Sequence, residues 1–444
     1  ALCKFTLTPI ATLSCLLQLT WPGAVLCASA LLILLKVFRA GLQKLCWAGC
    51  PKSGEPLRVM ICGDAFPPKL DGVQIFSRHT IQALVREGHN VHVFCSNGSP
   101  ATLLAPENYG ATVTRGPGIE VQPKHKITLP SPYFLLALLR FRPNLIHFSD
   151  FTPMCVFLMP FLWWLGIPFV MAHHSRIDLY ATYVPTVIGD YSPQVIRALF
   201  EVLFPLVTGH LLLDKSQREQ SWFQGHPLTR HWPTGVDLEL FHPTKACQEM
   251  RETLSKGRPD LPLVIFVGRL SPEKQVDKFV DLVKLTNPEG RPEVCRFAIV
   301  GHGDSWEPIH RELGHRPDVY MPGALTSEKL AAAFASGDIF FSPTVTGTAD
   351  MVWFESQAAG LAVVGPNATE VPLLVTNGVN GELYEPLNME DAKRAILQVI
   401  GSHNLEKMKV EARKNAEANF TWPRSTGAAI KFYKDVLQFV ERYG

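Results

Sequence analysis

The stretch SPTVTGTADMVWFESQAAG, residues 342–360, sets Glu355 in the opening turns of a helix between two apolar strands. A carboxylate so placed is able to accept hydrogen bonds from two neighbouring sugar hydroxyls. It also has an ordinary reason to be there, since the helix dipole favours an acid near a helix start by about 0.3–1 kcal/mol. Gly347, eight residues earlier, brings no side chain to this loop.

Other candidates fall at the ends of apolar runs. In VGRLSPEK, Arg269 lies near the end of a strand and Lys274 at the start of the next helix, a pairing that suits a diphosphate or simple solvation. Gly72, in DAFPPKLDGVQIFSRHT, stands just before a helix, where a glycine lets backbone N–H groups approach an anion. It is one glycine and not the GxGxxG fingerprint of a dinucleotide site, and a plain turn needs it equally. IVGHGDSW puts Gly301 and Gly303 after a strand, the commonest way to close a strand and open a helix. VMAHHSRIDLY ends a strand on His173 and His174. Such histidines donate a hydrogen bond to charge developing on a reacting group, or satisfy a neighbouring carbonyl.

These residues need a scaffold, and the hydropathy pattern supplies one. From Leu57 short apolar runs alternate with helical stretches: LRVMICGD, HNVHVFCSN, PNLIHFSD, IPFVMAHH and GHLLLDKS read as strands, VQIFSRHTIQALVREG as an amphipathic helix. Strands apolar throughout and separated by helices mark parallel α/β sheets covered on both faces. The alternation lapses in the Pro/Gly-rich, aromatic HWPTGVDLELFHPT, which reads as an interdomain link, and restarts with LPLVIFVGRL, RFAIVGHGD, DVYMPGAL, DIFFSPTV and LAVVGPN. The fold class is therefore α/β, two tandem Rossmann-like domains with an interdomain cleft, plus an apolar N-terminal segment. In such domains ligands bind beyond the C-terminal ends of the strands.

The boundaries read as 1–52 for an apolar leader or membrane anchor, 57–240 for a first domain and 250–420 for a second, with 421–444 a C-terminal helix returning to the first domain. A length of 444 residues suits two cores of ordinary size. Net charge is +2, from 42 basic and 40 acidic side chains without a Lys/Arg run, which argues against a nucleic-acid partner. The ten cysteines form no CxxC pair and read as reduced, so no metal site is expected of them. The apolar run at 154–171 is divided by Pro160, Gly166 and Pro168 into a helix and a strand of soluble core. Between Phe5 and Leu35 there is no charged residue, and no acid precedes Glu55. That run exceeds the ~20 residues a spanning helix needs, but Pro9 and Pro22-Gly23 interrupt it. Membrane anchor, targeting leader, or both in series stay open.

Taken in order, GVDLELFHP, VGRLSPEK, IVGHGD, the run YMPGALTSEKLAAAFASGDIFFSPTVTGTADMVWFESQAAGLAVVG and NGVNGELY resemble the retaining glycosyltransferases of family 4, which have the GT-B fold. HHSRIDLYATYV together with HWPTGVDLELFHP is similar to the glycolipid-forming branch, which holds sulfoquinovosyltransferases and diacylglycerol mannosyltransferases. The resemblance implies that Gly72 approaches the donor phosphates and that His174 lies near the reacting sugar. It implies that Arg269 and Lys274 hold the diphosphate, with backbone N–H groups at Met351 and Val352 assisting. Gly301 and Gly303 border the same donor site, Leu325 meets the nucleobase, and Glu355, the second acid of an E-x7-E motif, binds the ribose. Two departures stand out. Gly347 occupies the place of the first acid, which contacts the donor sugar, and Thr369-Glu370 replaces a Gly-Gly pair.

The expected activity is metal-independent, retaining transfer of a sugar from a nucleotide diphosphate, UDP-linked for preference, to a lipid. Sulfoquinovose to diacylglycerol is the favoured pair, and no cofactor is expected beyond the donor. A mannosyl- or glucosyltransferase on another lipid or glycan is the alternative. The missing acid at 347 motivates a third, a non-catalytic nucleotide-binding subunit. Location follows from activity: a plastid membrane for sulfolipid synthesis, otherwise a cytosol-facing membrane.

Overall fold

The computed structural model describes residues 22–64, 66, 72–96, 109–122, 125–128, 131–149, 151–174, 192–345, 350–401 and 404–443. Gly347 and the continuation of the histidine loop at 175–191 lie outside them. The strands of the first half are β1 (Arg58–Cys62), β2 (Asn90–Ser96), β3 (Thr112–Gly116), β4 (Gly118–Gln122), β5 (His125–Thr128), β6 (Leu145–Phe148), β7 (Phe169–His173), β8 (Gly209–Leu212) and β9 (Thr229–His231). The second half has β10 (Leu263–Val267), β11 (Arg296–Val300), β12 (Val319–Gly323), β13 (Ile339–Phe341), β14 (Ala362–Pro366) and β15 (Gly381–Tyr384). Each of the ten strands read from the apolar runs is present. The β4–β5 hairpin, which is antiparallel, has no such run and was not foreseen.

Helices α1 (Pro22–Cys46), α2 (Gly72–Arg86), α3 (Pro132–Phe141), α4 (Pro153–Leu165) and α5 (Ser192–Leu203) belong to the first half. The second contributes α6 (Gln248–Leu254), α7 (Val276–Thr286), α8 (Trp306–Leu313), α9 (Ser327–Ala335), α10 (Met351–Ala358), α11 (Val371–Leu374), α12 (Met389–Gly401) and α13 (Leu405–Asn419), and α14 (Trp422–Tyr443) closes the chain.

Among the described residues one sheet runs β3-β2-β1-β6-β7-β8-β9 and the other β12-β11-β10-β13-β14-β15, each with parallel neighbours throughout. Burial on both faces explains why the inner strands carry nearly unbroken apolar runs, while the edge strands β3 and β9, only partly buried, do not. In the first sheet α2 and α14 cover one face; α3, α4, α5 and the end of α1 cover the other. In the second, α7, α8 and α12 lie opposite α9, α10 and α13. Strand order reverses beside β1 in one sheet and beside β10 in the other. Crevices open at such reversals, past the strand C-termini.

The chain crosses between the halves twice, and the crossings touch. Trp232 is buried in the first core and Val236 in the second. Val236 bridges Thr421 in parallel, and its N–H donates to the Phe420 carbonyl at 2.9 Å. From there α14 returns to the first half. Trp422 stacks on His79 with ring centroids 3.9 Å apart, and the Tyr433 hydroxyl lies 2.9 Å from His147 Nδ1.

The run at 154–171 divides as the prolines suggest. Gly166, at φ +71°, ends α4 in the left-handed conformation that glycine adopts freely, and β7 follows. The C-terminal end of the N-terminal segment packs against the first half. Cys46, at the end of α1, is buried in the first core, and the Trp47 indole N–H donates to the Asn144 carbonyl at 2.8 Å. No helix among the described residues is long and apolar enough to cross a membrane.

Candidate active site

Helix α10 starts at Met351, which makes Glu355 its fifth residue, in the second turn. The dipole acts mainly on the first turn, so the ordinary reason for this acid loses force. Glu355 is 9% exposed, and its carboxyl has no hydrogen-bond or ion-pair partner among the described residues. Burial alone lifts its pKa to about 7. An acid kept inside at this cost, without a partner, fits a ligand that brings donors of its own, as a ribose diol does.

The two cations expected to share a diphosphate have separate partners. Lys274 closes the short turn Pro272–Lys274, and its side chain is 15% exposed. Its Nζ lies 2.5 Å from Asp350 Oδ2, at the residue that precedes α10. Arg269 instead is 70% exposed, with Glu273 Oε1 4.0 Å away. The Lys274 ammonium therefore sits at the mouth of α10, where the first backbone N–H groups of the helix point. That is the place for a phosphate, but Asp350 occupies it in the free chain. An anion bound there would have to displace this carboxylate, with the solvent-exposed Arg269 nearby to reach it. Asp350 was passed over in the sequence. Its position directly before a helix, with a lysine at the matching strand end, was the available signal.

The first half closes on the same point. A Cβ built on Gly72, at the start of α2, would lie 3.8 Å from Met351 Cγ, so Gly72 faces the mouth of α10 across the cleft. Val352 is half-buried beside Met351. His174 is half-buried, with ring centroids 4.9 Å from Phe76 and 5.5 Å from Trp232. Its neighbour is a core histidine. His210 Nε2 faces the Phe204 carbonyl at 3.2 Å, which leaves its Nδ1, 3.0 Å from His173 Nε2, to accept from that ring. Burial holds both imidazoles neutral, His173 with a pKa of about 3.

Gly301 and Gly303 have a backbone explanation. A Cβ on Gly301 would stand 1.8 Å from the Gly268 carbonyl oxygen, and one on Gly303 2.3 Å from that of Leu270. The loops after β10 and β11 thus lie against each other, and these glycines fix the loop that carries Arg269. Leu325 is half-buried against the core under α9 and α10, beyond the end of β12. Gly347 lies outside the described residues.

Two further acids line the region. Asp214 follows β8 and is fully buried; Glu370 follows β14 and is 4% exposed. Burial, then the charges of Asp214 and Asp350, push the Glu370 carboxyl well above the usual range. Among the described residues no group of three His, Cys, Asp or Glu is arranged to hold a metal ion.

The family models match this arrangement half by half. Residues 70–240 match Glycosyltransferase Family 4, and residues 261–402 match Glycosyl transferases group 1. Crystal structures of the same architecture include Anabaena Alr3699/HepE in complex with UDP, at TM-score 0.65 and 16% identity over 85% of this chain and 100% of that one. The chain is a family 4 glycosyltransferase with the GT-B fold. Sucrose-phosphate synthase from Thermosynechococcus elongatus superposes equally well, at TM-score 0.65 and 18% identity over 86% of this chain and 99% of that one. Among curated relatives of this glycosyltransferase, sulfoquinovosyl transferase SQD2 of Arabidopsis thaliana is 28% identical over 343 residues, 74% of this chain and 66% of the relative. A GDP-mannose-dependent alpha-mannosyltransferase of Corynebacterium glutamicum is 25% identical over 397 residues, 87% of this chain and 91% of the relative.

Proposed function

We propose that this glycosyltransferase moves a hexose from a nucleotide diphosphate to a lipid at a membrane surface, with UDP-sulfoquinovose and diacylglycerol as the favoured pair. The observation that carries the donor half is Glu355, a buried acid without a partner among the described residues, one turn past a helix mouth flanked by Lys274. Ribose on Glu355 sets the diphosphate at the start of α10, where Lys274, Arg269 and the backbone N–H groups stabilise the charge that develops as it leaves. Those cations make a divalent ion unnecessary. The C1–O bond to the β-phosphate breaks and an acceptor O–C1 bond forms on the same face, with retention. The acceptor proton passes to the departing diphosphate oxygen. His174, beside Phe76 and Trp232, donates a hydrogen bond near the reacting centre.

The acceptor half rests on a surface. Leu31, Ile33, Leu34, Val37 and Phe38 of α1, Tyr133 of α3, and Phe157 and Trp163 of α4 are exposed. Helix α1 lies on α3 and α4, and none of the three contains an acid. Lys36, Arg39 and Lys44 provide α1's only charges. An apolar face with basic residues and no acids matches an anionic bilayer, entered in its plane by amphipathic helices. For sulfolipid synthesis that bilayer is a plastid membrane, otherwise a cytosol-facing one.

A mannosyltransferase is the second reading, supported by the GDP-mannose-dependent relative, which aligns over more of both chains than the sulfoquinovosyl transferase does. The purified chain, incubated with diacylglycerol vesicles and a panel of UDP-sulfoquinovose, UDP-glucose and GDP-mannose, separates the two. Glycolipid formed from UDP-sulfoquinovose supports the first. Consumption of GDP-mannose alone replaces it by the second, and no product from any donor leaves a nucleotide-binding subunit.

A further inference from the structure

Glu370 has no task in the chemistry above, and its surroundings are unfavourable without one. It stands four residues past the end of β14, at the C-terminal edge of the second sheet. Its side chain is more than nine-tenths buried, and Oε1 has no hydrogen-bond partner among the described residues. It starts the short helix α11 without capping it. The acids that act on it come from both walls of the cleft: Asp214 from the loop after β8 and Asp350 from the mouth of α10. Thr369, just before it, is held at φ +53°, a conformation that costs a β-branched residue more than most. A strained backbone thus presents an unpaired acid toward two like charges. A core with only structural needs would replace such a group by an apolar or smaller one.

A hydroxyl-bearing ligand offsets the electrostatic part of these costs. Sugar hydroxyls donate to the vacant oxygen and screen the carboxyl from its acidic neighbours. The location is also suitable, because Asp350 marks the diphosphate end of the cleft and Asp214 its opposite wall. A hexose on a diphosphate held at α10 would come within reach of Glu370, on which both acids act. Gly347, four residues before α10 in the sequence, has no side chain with which to grip it. We propose that Glu370 binds hydroxyls of the donor hexose and is the carboxyl that sets donor-sugar preference in this chain. This rests on the nucleotide-sugar reading given above.

Calorimetric titration of the full chain with UDP, GDP, UDP-glucose, UDP-sulfoquinovose and GDP-mannose tests it, comparing wild type with Glu370→Ala and, to keep the volume, Glu370→Gln. A sugar contact lowers affinity for the preferred sugar nucleotide about tenfold in Glu370→Ala, as the loss of one well-placed polar contact does. Affinity for the bare diphosphate changes less than about twofold, and the melting temperature holds or rises because an unpaired buried acid is gone. The Gln variant shifts the ranking of sugar nucleotides and leaves the diphosphates alone. Equal loss for diphosphate and sugar nucleotide with a lowered melting temperature makes Glu370 structural and overturns the proposal, as does unchanged binding of every probe. Wild type that binds a diphosphate but no sugar nucleotide removes Glu370's role and leaves the diphosphate site standing. Wild type that binds neither overturns the donor reading itself, and this proposal with it.

Discussion

Under the proposed donor site, Glu355 is where stability and function oppose each other in this chain. Its folded pKa of about 7 lies above the usual 4.5 because burial disfavours the charge. The folded state therefore holds its proton more tightly than the unfolded one, and stability falls as pH rises from about 4.5 through about 7. Above that window the loss from this group approaches about 3 kcal/mol. Glu355→Gln removes it, so the variant gains melting temperature over wild type at pH 8 and much less at pH 5, as thermal denaturation at the two pH values reads. The same variant binds a UDP or GDP probe more weakly at pH 8, having lost the ionised acceptor. A stability gap that does not change with pH would separate this carboxyl from both effects. Much of this was legible in the sequence: Glu355, Lys274, Arg269 and Gly72 stand at the strand ends and helix starts their motifs indicated. What the sequence did not reveal is partnership. That Asp350 holds Lys274, and that His173 is occupied by His210 while His174 faces Phe76 and Trp232, depends on residues brought together from distant parts of the chain.

At the scale of elements, the ten apolar runs that became strands were readable because parallel strands buried on both faces need continuous hydrophobicity. The β4–β5 hairpin was not, since its antiparallel strands, GIEVQ and HKIT, carry no continuous apolar run. The double crossing was half visible. HWPTGVDLELFHPT signalled a link, but its pairing with 420–422 joins segments nearly two hundred residues apart. Gly235 is the tight point of that pairing: a Cβ there would meet Trp422 ring carbon Cδ2 at 2.5 Å and its Cα at 2.9 Å. Backbone cannot yield as a side-chain tip does, so Gly235→Ala is expected to cost about 1–3 kcal/mol, as overpacking does. Gly427→Ala, in α14 with nothing within 4 Å, is the control and is expected to be neutral or mildly stabilising. Thermal denaturation of the pair distinguishes a crossing held by close contact from a loose linker, which would tolerate both.

The whole molecule joins an apolar, acid-free face on its first half to a polar cleft between the halves. Wild type is expected to float with phosphatidylglycerol vesicles and far less with phosphatidylcholine, and added salt should weaken the attachment. Changing Leu34, Phe38 and Phe157 together to Glu should abolish flotation, because each is solvent-exposed and its loss opens no core. Equal flotation of the triple variant would mean that this face does not dock. The central claim, that transfer occurs at the mouth of α10, is tested most directly through Arg269. Its side chain is 70% exposed and, among the described residues, makes only a loose contact with Glu273, so the fold has little use for it. Transfer rates of wild type and Arg269→Ala, measured with the donor that the panel identifies, give the answer. The account predicts a loss of about a hundredfold in the rate, as for removal of a group that stabilises a leaving charge, with the melting temperature unchanged. Undiminished transfer and donor affinity in Arg269→Ala would contradict it.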